Sequence, residues 1–344
     1  MPSVFERAIA RIRSRFTAQS DDYAARLGSE IETYRNCVDV NDLPAIFHYW
    51  SNKYLAPRFA KLGFTHPDEF FARHLHESFT GSAGASFVSI GAGNCDTEVR
   101  VAKLLRQRGL RDFTIECVDI NRDMLERGRA MAADEEVADY LVFTEEDFNK
   151  WKPRRQYDAV MANQSLHHVV ELESLFGSIH EAISHGGRFV TSDIIGRNGH
   201  MRWPEARAIV AEFWKELPAA YRYNRQLKRQ EEEFMDWDCS VGTFEGIRAQ
   251  DILPLLVERF EFDLFAPFAN VIDPFIDRGF GHNFDAAADW DRQFIDRVEA
   301  RDTAEILAGR IKPTHLMAVM CAGRAGRREF LDNLQPKACI RQPD

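Results

Sequence analysis

Two adjacent histidines are the side chains in this sequence best suited to accept a proton. His167 and His168 follow the apolar run YDAVMANQS, and Asp193 ends a second such run, GGRFVTSD. Histidine ordinarily titrates near neutral pH, so a histidine beyond a buried strand can take a proton from a bound hydroxyl or amine. The alternatives remain open: a histidine there can pack beneath a ligand, and Asp193 can cap the element that follows it.

The clearest ligand-binding signal is a glycine-rich turn between an apolar strand and a helix, FVSIGAGNCDTEVRVAKLL at 87–105. The turn comprises Gly91, Ala92, Gly93 and Asn94. Glycine is favoured where the chain turns sharply and a ligand must touch backbone, although tight structural turns use glycine too. The next apolar run ends at Asp119 and Ile120, which places a carboxylate beside the turn. We expect Asp119 to accept hydrogen bonds from both hydroxyls of a ribose.

The same turn argues against a nicotinamide or flavin dinucleotide. The full GxGxxG fingerprint requires a third glycine at position 96, where this chain has Asp96. The third apolar run is followed by Asp147 and Phe148, an acid and an aromatic ring suited to the amino group and face of an adenine. An acidic solvated turn is the alternative interpretation of this stretch.

The elements that position these residues follow an alternating pattern. From residue 86, short apolar runs alternate with helical segments, as expected for strands buried on both faces of a parallel sheet. A sixth run, FEFDLFAPF, follows the helical segment RAQDILPLLVER, and HLMAVMCAG reads as a last strand. We therefore predict an α/β fold with a doubly wound, mostly parallel sheet of seven strands.

The same pattern divides the chain into regions. We predict an N-terminal helical cap over 1–80, a main domain over 81–324 and a C-terminal tail over 325–344. Insertions are expected near 218–245 and 271–311, where the alternation of strands and helices is interrupted.

Residues 86–195 resemble the core of class I S-adenosylmethionine-dependent methyltransferases, over about a third of the chain. The resemblance rests on four features in order: Gly91 and Gly93 in the first turn, Asp119 ending strand two, Asp147 with Phe148 after strand three, and Asn163-Gln164-Ser165-Leu166-His167-His168 closing strand four. The family's third small turn residue is replaced here by Cys95. The resemblance implies a Rossmann-like sheet with an antiparallel last strand, and S-adenosyl-L-methionine as the cofactor, contacted by these residues.

The family's chemistry is an in-line displacement at a sulfonium carbon, for which the protein supplies alignment and a dry pocket. The resemblance therefore implies methyl transfer to an oxygen or nitrogen of a small molecule. In the family's sheet, strands four and five are neighbours about 5 Å apart, so Asp193 can orient the histidine that takes the acceptor's proton. Of the two histidines we favour His168 over His167. Another reaction of the cofactor, such as an intramolecular cyclisation, and a non-catalytic cofactor-binding protein are the alternative functions.

Two further groups of residues are candidate sites. The aromatic side chains of Tyr49 and Trp50 in the N-terminal region are candidates for binding the acceptor, although most aromatic residues there are expected to pack between helices. The acids and histidine at Asp273, Asp277, His282 and Asp285 have a spacing that fits no standard ligand set. We therefore expect no metal.

The net charge and the cysteines limit which binding partners and which cellular location we expect. The formal net charge of −10 disfavours a nucleic-acid substrate, because a basic surface is needed to bind phosphates. The six cysteines form no CxxC pair, and no signal peptide or membrane-spanning run is apparent, so we predict a cytoplasmic protein. The basic amphipathic segment 3–16 is expected to pack on the body of the protein rather than on a membrane. A homodimer is left open.

Overall fold

The computed structural model describes residues 23–29, 31–33, 43–81 and 84–341. The amphipathic segment 3–16 and the first part of the N-terminal cap lie outside these residues. Within the described part of the chain, no helix is long and apolar enough to cross a membrane.

The central feature is a sheet of eight strands in the order β10-β8-β9-β5-β4-β1-β2-β3. A separate two-stranded hairpin is formed by β6 and β7. The strands are β1 (Ala85–Ile90), β2 (Phe113–Asp119), β3 (Leu141–Glu145), β4 (Ala159–Asn163), β5 (Arg188–Ile194), β6 (Tyr223–Asn224), β7 (Arg229–Gln230), β8 (Glu261–Phe268), β9 (His315–Cys321) and β10 (Glu329–Phe330). Strand β9 runs antiparallel to both β5 and β8, while the other pairs of the sheet are parallel. The predicted α/β class and the antiparallel last strand are confirmed.

The eighth strand is the difference from prediction. Residues Glu329 and Phe330, which the sequence predicts to lie in a C-terminal tail, pair in parallel with Leu264 and Phe265 of β8. Strands are recognised in sequence by a run of apolar or alternating residues, and two residues are too few to show one. The sheet is therefore one edge strand wider than expected.

Helices cover both faces of this sheet. They are α1 (helical residues 23–29 and 31–33), α2 (Ala45–Trp50), α3 (Ala56–Ala60), α4 (Pro67–Ser78), α5 (Asp96–Gln107), α6 (Arg122–Asp134), α7 (Leu172–Ala182), α8 (Pro204–Trp214), α9 (Ala249–Arg259), α10 (Asp273–Ile276) and α11 (Asp289–Leu307). A π-helical turn, Ser51–Leu55, joins α2 to α3. Their starts follow local chemistry: Pro204 is at the first position of α8, and the Asn121 side chain accepts hydrogen bonds from the backbone of Asp123 and Met124 in α6.

Successive residues of β1 show why its sequence is apolar throughout. Phe87 is buried in the cluster that contains the apolar side chains of α4, α5 and α11. Val88 and Ile90 are buried in a second cluster with those of α7 and α9. Since alternate strand residues point to opposite faces, both faces of the sheet are covered and neither needs polar residues.

The chain between β8 and β9 leaves the sheet at the end of β8 and returns to nearly the same place at the start of β9. The backbone N–H of Thr314 donates to the carbonyl of Ala269 at 2.8 Å, and the Asn270 side chain donates to the carbonyl of Lys312 at 2.7 Å. Between these two ends lie α10 and the 19-residue α11. We refer to residues 269–314 as the β8–β9 segment.

Candidate active site

The turn after β1 depends on glycine for both conformation and space. Gly91 and Gly93 have φ values of +70° and +55°, in the left-handed region that favours glycine. The N–H groups of Gly91 and Ala92 both donate to the carbonyl of Val118 in β2. A Cβ atom at Gly91 would lie only 2.5 Å from Cβ of Ser165, so the turn fits closely against the chain that follows β4.

Asp119 connects this turn to the end of β2. Its Oδ2 atom accepts a hydrogen bond from the Gly93 N–H at 2.8 Å, and its Oδ1 atom accepts one from the Asn121 N–H at 2.8 Å. The residue is 7% exposed. The structure thus brings together the turn and the acid that the sequence analysis assigned to one ligand. Ile120 lies beside the carboxylate at the strand's end, and buried Asn94 accepts a hydrogen bond from Arg127.

Gly128, which the sequence analysis did not select, gives Cys95 its place in the turn. Cys95 has a φ of +57° and is buried. A Cβ atom at Gly128 would lie 2.8 Å from Cβ of Cys95 and 2.9 Å from the carbonyl oxygen of Asn94. The turn has Cys95 where the family has a small residue, and the glycine on the facing helix α6 leaves the space that Cys95 needs. A lone glycine inside a helical pattern was the available signal.

Asp147, the expected partner of an adenine amino group, is engaged by a side chain of α1. The Tyr23 hydroxyl lies 3.0 Å from Oδ1 and 2.9 Å from Oδ2 of Asp147. Burial, reinforced by the Asp147 charge, raises the pKa of Tyr23 far above its usual range, so the phenol donates and the carboxylate accepts. Phe148 lies beside the turn: a Cβ atom built at Gly91 would be 3.6 Å from the Phe148 ring.

Helix α1 bridges the edge of the sheet where these residues meet. Arg26 donates from its guanidinium to the carbonyl oxygens of Ser240 and Thr243 at 3.0 and 2.8 Å. At the other end of the helix, the Asn121 side chain donates to the carbonyl of Ile31. Sequence analysis predicted a helical N-terminus, but no motif indicated which surface the helix covers.

The end of β4 is tied to its neighbours through Asn163 and Gln164. The Asn163 amide donates to the Thr97 hydroxyl of α5 at 3.1 Å. Gln164, with a φ of +52°, donates its backbone N–H to the carbonyl of Ser192 in β5. The Ser165 hydroxyl then donates to the carbonyl of Ile90 at 2.7 Å, which links this segment to the end of β1.

Asp193 contacts His167 rather than His168. Its Oδ1 atom lies 2.6 Å from Nδ1 of His167, and its Oδ2 atom accepts the backbone N–H groups of Ser165 and Leu166 at 2.9 and 2.7 Å. Residues Leu166–His168 form a 3-10 turn, in which successive side chains point in different directions, so only one of the two histidines faces β5. The sequence favours His168 as the base but does not define the direction of either ring.

Two residues absent from the predicted site complete a cluster around these histidines. Glu245 Oε1 lies 3.5 Å from Nε2 of His167 and 2.7 Å from Nε2 of His200, and Glu245 Oε2 lies 3.5 Å from Nε2 of His168. We call His167, His168, His200 and Glu245 the histidine cluster. His200 ends a short 3-10 turn, Asn198–His200, and Glu245 lies in irregular chain, so no spacing pattern marks either residue.

The charges of the histidine cluster are determined by two carboxylates, those of Glu245 and of the neighbouring Asp193. Burial disfavours a charged His167 ring, but Asp193 and Glu245 outweigh burial and raise the pKa of His167 to about 10. Against burial, which acts in the opposite direction, His167 keeps the pKa of Asp193 below its usual range, and His167 with His200 does the same for Glu245. Burial lowers the pKa of His200. At neutral pH the protonated His167 ring therefore lies between two carboxylates, that of Glu245 in the cluster and that of Asp193 beside it.

The predicted acceptor-binding aromatics lie against α11. The Tyr49 hydroxyl donates to Asp296 at 2.8 Å, and Nε1 of Trp50 donates to Glu299 at 2.6 Å. Trp50 is 2% exposed. These contacts account for both side chains as helix packing, and their role toward a substrate stays a prediction.

The acids of the β8–β9 segment do not gather around one point with His282. Asp273 instead lies 3.0 Å from the guanidinium of Arg202 and accepts a hydrogen bond from the Thr314 hydroxyl at 2.8 Å. Among the described residues, the grouping of three potential metal-binding side chains is a different one, His167, His200 and Glu245.

Comparison with known proteins identifies the domain. Residues 88–189 match the sequence model of a family described as "Methyltransferase domain". A comparison with curated proteins finds no match. The matched region includes the second half of β1, all of β2 to β4, the glycine turn, Asp119, Asp147 and both histidines.

Solved structures similar to the chain include several methyltransferases at low similarity. The O-methyltransferase from a trans-AT PKS multienzyme of Brevibacillus brevis is 11% identical, with a TM-score of 0.43, covering 88% of this chain and 84% of that one. Geranyl diphosphate C-methyltransferase from Streptomyces coelicolor A3(2) is 12% identical, with a TM-score of 0.41 and coverage of 74% and 75%. An S-adenosylmethionine-dependent methyltransferase from Mesorhizobium loti is 15% identical, with a TM-score of 0.40 and coverage of 74% and 97%.

These TM-scores are too low to carry an argument, so the assignment rests on the matched domain and on the sheet itself. The matched region contains the turn joined to Asp119, and the sheet adds the antiparallel β9 beside β5. The comparison therefore identifies a methyltransferase domain at residues 88–189, set within a mostly parallel α/β sheet.

Proposed function

We propose that the protein transfers the methyl group of S-adenosyl-L-methionine to an oxygen or nitrogen atom of a small-molecule acceptor. One observation carries this proposal: the histidine cluster and the cofactor turn meet at the same edge of the sheet. Ser165, two residues before His167, donates to the last carbonyl of β1 and lies against Gly91. A proton acceptor is needed when the methyl acceptor is a hydroxyl or a protonated amine.

The cofactor would lie along the ends of β1 to β4. Asp119 would accept the ribose hydroxyls, and the Gly91–Asn94 turn would allow the ligand close to backbone. Asp147 and Phe148 would hold the amino group and the ring of the adenine. Asn163 and Gln164 would line the cofactor where the chain leaves β4. Because the Tyr23 hydroxyl lies within hydrogen-bond distance of both oxygens of Asp147, this phenol would compete with the adenine amino group for the carboxylate.

The two histidines would have different roles. His167 is held by Asp193 and Glu245 in its protonated form near neutral pH, and a protonated ring cannot accept another proton. We assign the base to His168, whose side chain is 14% exposed against 4% for His167. His167 and Asp193 would position the turn that carries it, since Asp193 also accepts the N–H groups of Ser165 and Leu166.

The reaction balances without a further reactant. A lone pair of the acceptor attacks the methyl carbon, the carbon–sulfur bond breaks, and its electron pair stays on sulfur to give neutral S-adenosylhomocysteine. The acceptor's proton passes to His168. Since the electrophile is already activated, alignment and exclusion of water account for most of the protein's contribution.

The test uses the purified chain, methyl-labelled cofactor and a panel of small hydroxyl- and amine-containing compounds. At least one acceptor should gain the label with one equivalent of S-adenosylhomocysteine released. Mass spectrometry of the product separates methyl transfer from a cyclisation, since only the former adds a methyl group. A protein that binds no S-adenosylmethionine by calorimetry, or that forms product without transferring the label, would overturn the proposal.

A further inference from the structure

Three members of the histidine cluster are arranged like the ligands of a metal ion. Among the described residues, His167, His200 and Glu245 each offer a ligand atom within 4.8 Å of the other two. Ligand atoms on one tetrahedral zinc ion lie about 3.3 Å apart, because each bond is about 2.0–2.1 Å long. The separation of 3.5 Å between Glu245 Oε1 and Nε2 of His167 is close to that value, and the 2.7 Å contact with His200 needs only a small opening.

Asp193 holds one of these ligands in the orientation that metal binding requires. Histidines that bind metals through one ring nitrogen commonly donate from the other to a carboxylate, which fixes the tautomer. His167 has this arrangement: Nδ1 contacts Asp193 at 2.6 Å, and Nε2 faces Glu245. Asp193 is itself fixed by the backbone N–H groups of Ser165, Leu166 and Ile194.

The second histidine is held in an unfavourable backbone conformation. His200 has a φ of +56°, a region that non-glycine residues enter at some cost in free energy. Its loop is tied to the Glu245 loop by the hydrogen bond from the Gly199 N–H to the Gly246 carbonyl at 2.8 Å. Nδ1 of His200 is buried and has no hydrogen-bond partner among the described residues. The backbone thus brings two separate loops together with both ligands facing each other.

The charge of the cluster also suits a cation. The carboxylates of buried Asp193 and half-buried Glu245 lie on either side of one imidazole ring, and a divalent cation beside that ring would compensate the charge of both. Two imidazoles and one carboxylate are a donor set used by zinc and by other first-row divalent metals.

We propose that His167, His200 and Glu245 bind one divalent transition-metal ion, with Zn²⁺ as the ion to test. The protein supplies three ligands, and a tetrahedral zinc ion takes a fourth from water or from a bound molecule. The metal binds Nε2 of His167, the ring nitrogen that faces Glu245, and leaves His168 outside the donor set. Binding of the metal does not depend on the proposed methyl transfer, and each is measured separately.

The experiment is a titration of the chelator-treated chain with Zn²⁺, in which binding is measured by calorimetry. A parallel titration with Co²⁺ is measured by visible absorption. We expect one equivalent to bind. Loss of a residue that hydrogen-bonds to a metal ligand typically lowers metal affinity by roughly 10- to 100-fold. His200→Gln and Glu245→Gln remove ligands themselves, so each should lower the affinity for Zn²⁺ by more than that. Glu77→Gln is the matched control, because Glu77 lies 3.5 Å from Nδ1 of His74 but belongs to no group of three among the described residues. It should leave the affinity unchanged.

One further variant keeps the result decisive. Glu245→Asp retains a carboxylate and should bind Zn²⁺ more weakly than the parent chain but more tightly than Glu245→Gln. Thermal denaturation of both variants checks that they are folded. The proposal is overturned if the parent chain binds no stoichiometric metal, or if Glu245→Gln and Glu77→Gln bind it equally well.

Discussion

Nδ1 of His167 lies 2.6 Å from a carboxylate oxygen of Asp193, which is completely buried, and this contact determines the charge of the candidate active site. A histidine so placed carries a proton at pH values where most histidines are neutral. The Glu245 carboxylate on the opposite side acts in the same direction, while His168 and His200 are the other titratable groups beside it.

This charge predicts how stability depends on pH. The pKa of His167 is about 10 in the folded chain and near 6.5 in the unfolded chain. A raised pKa contributes stability that is complete below pH 6.5 and is lost as the pH rises toward 10, by up to about 1.4 kcal/mol per pH unit. Urea unfolding of metal-free protein from pH 7 to 10 should show this decline, and His167→Gln should flatten it. An unchanged slope in that variant would contradict the assignment; His185→Gln, at the surface, is the control.

Asp119→Ala should reduce binding of S-adenosylhomocysteine below detection by calorimetry. In the proposed site the variant loses the charged acceptor for two ribose hydroxyls, and each such hydrogen bond contributes about 1.5–3 kcal/mol. It also releases the Gly93 N–H that now donates to Asp119. Asp134→Ala removes an exposed acid at the end of α6 and should bind normally. Unchanged affinity in Asp119→Ala, with the fold intact, would remove the ribose assignment.

His168→Gln should leave cofactor affinity unchanged and lower turnover by about a hundredfold or more, as expected for loss of a general base. His167→Gln should affect turnover through the position of the 3-10 turn, and therefore through KM as well as kcat. The measurement is kcat and KM with the best acceptor of the panel, over a range of pH. Full activity of His168→Gln would show that this ring only packs.

Tyr23→Phe should strengthen binding of adenosyl ligands by about threefold to tenfold. The Tyr23 hydroxyl donates to Asp147, and a hydrogen bond of this kind contributes a net free energy of about 0.5–1.5 kcal/mol, which would oppose the proposed contact of the adenine amino group with the same carboxylate. Tyr221→Phe removes a comparable contact, to Asp291 at 2.7 Å, away from the turn, and serves as the control. Weaker binding by Tyr23→Phe would instead indicate that the phenol contacts the ligand.

Gly128→Ala should destabilise the turn that Gly91 begins. The new Cβ atom would meet Cys95 and the Asn94 carbonyl below 3 Å, and overpacking of this kind typically costs about 1–3 kcal/mol. Gly177→Ala, in α7, gains the same helix propensity but meets only the end of a flexible Arg259 side chain at 3.1 Å. The free energy of unfolding should therefore be lower for Gly128→Ala by about that amount. Equal stability of the two variants would show that the turn has room to move.

The sheet was predictable from sequence because both of its faces are buried. Continuous apolar runs such as β1 and β5 are typical of strands covered on both sides, and the turn at Gly91 and Gly93 fixes where the first strand ends. The two-residue β10 shows no such pattern, which is why the sheet is one strand wider than expected.

The site was less accessible to sequence reasoning, because several of its contacts join distant segments. Asp193 and the two histidines were selected from the ends of adjacent strands, but the direction of each ring depends on a 3-10 turn that sequence does not show. His200 and Glu245 meet only through a hydrogen bond between loops, and Tyr23 reaches Asp147 across 124 positions of the chain. No local periodicity reports contacts of that kind.

The β8–β9 segment leaves and rejoins the sheet at almost the same point, where Thr314 donates to Ala269. Because its ends already touch, the length of this segment adds little loop-closure entropy to the cost of pairing β8 with β9. Phe294 and Val298 of α11 are nevertheless buried in the same cluster as Phe87 of β1, so an exchange of this segment with that of another protein must keep the apolar side of α11 and can vary only its exposed side.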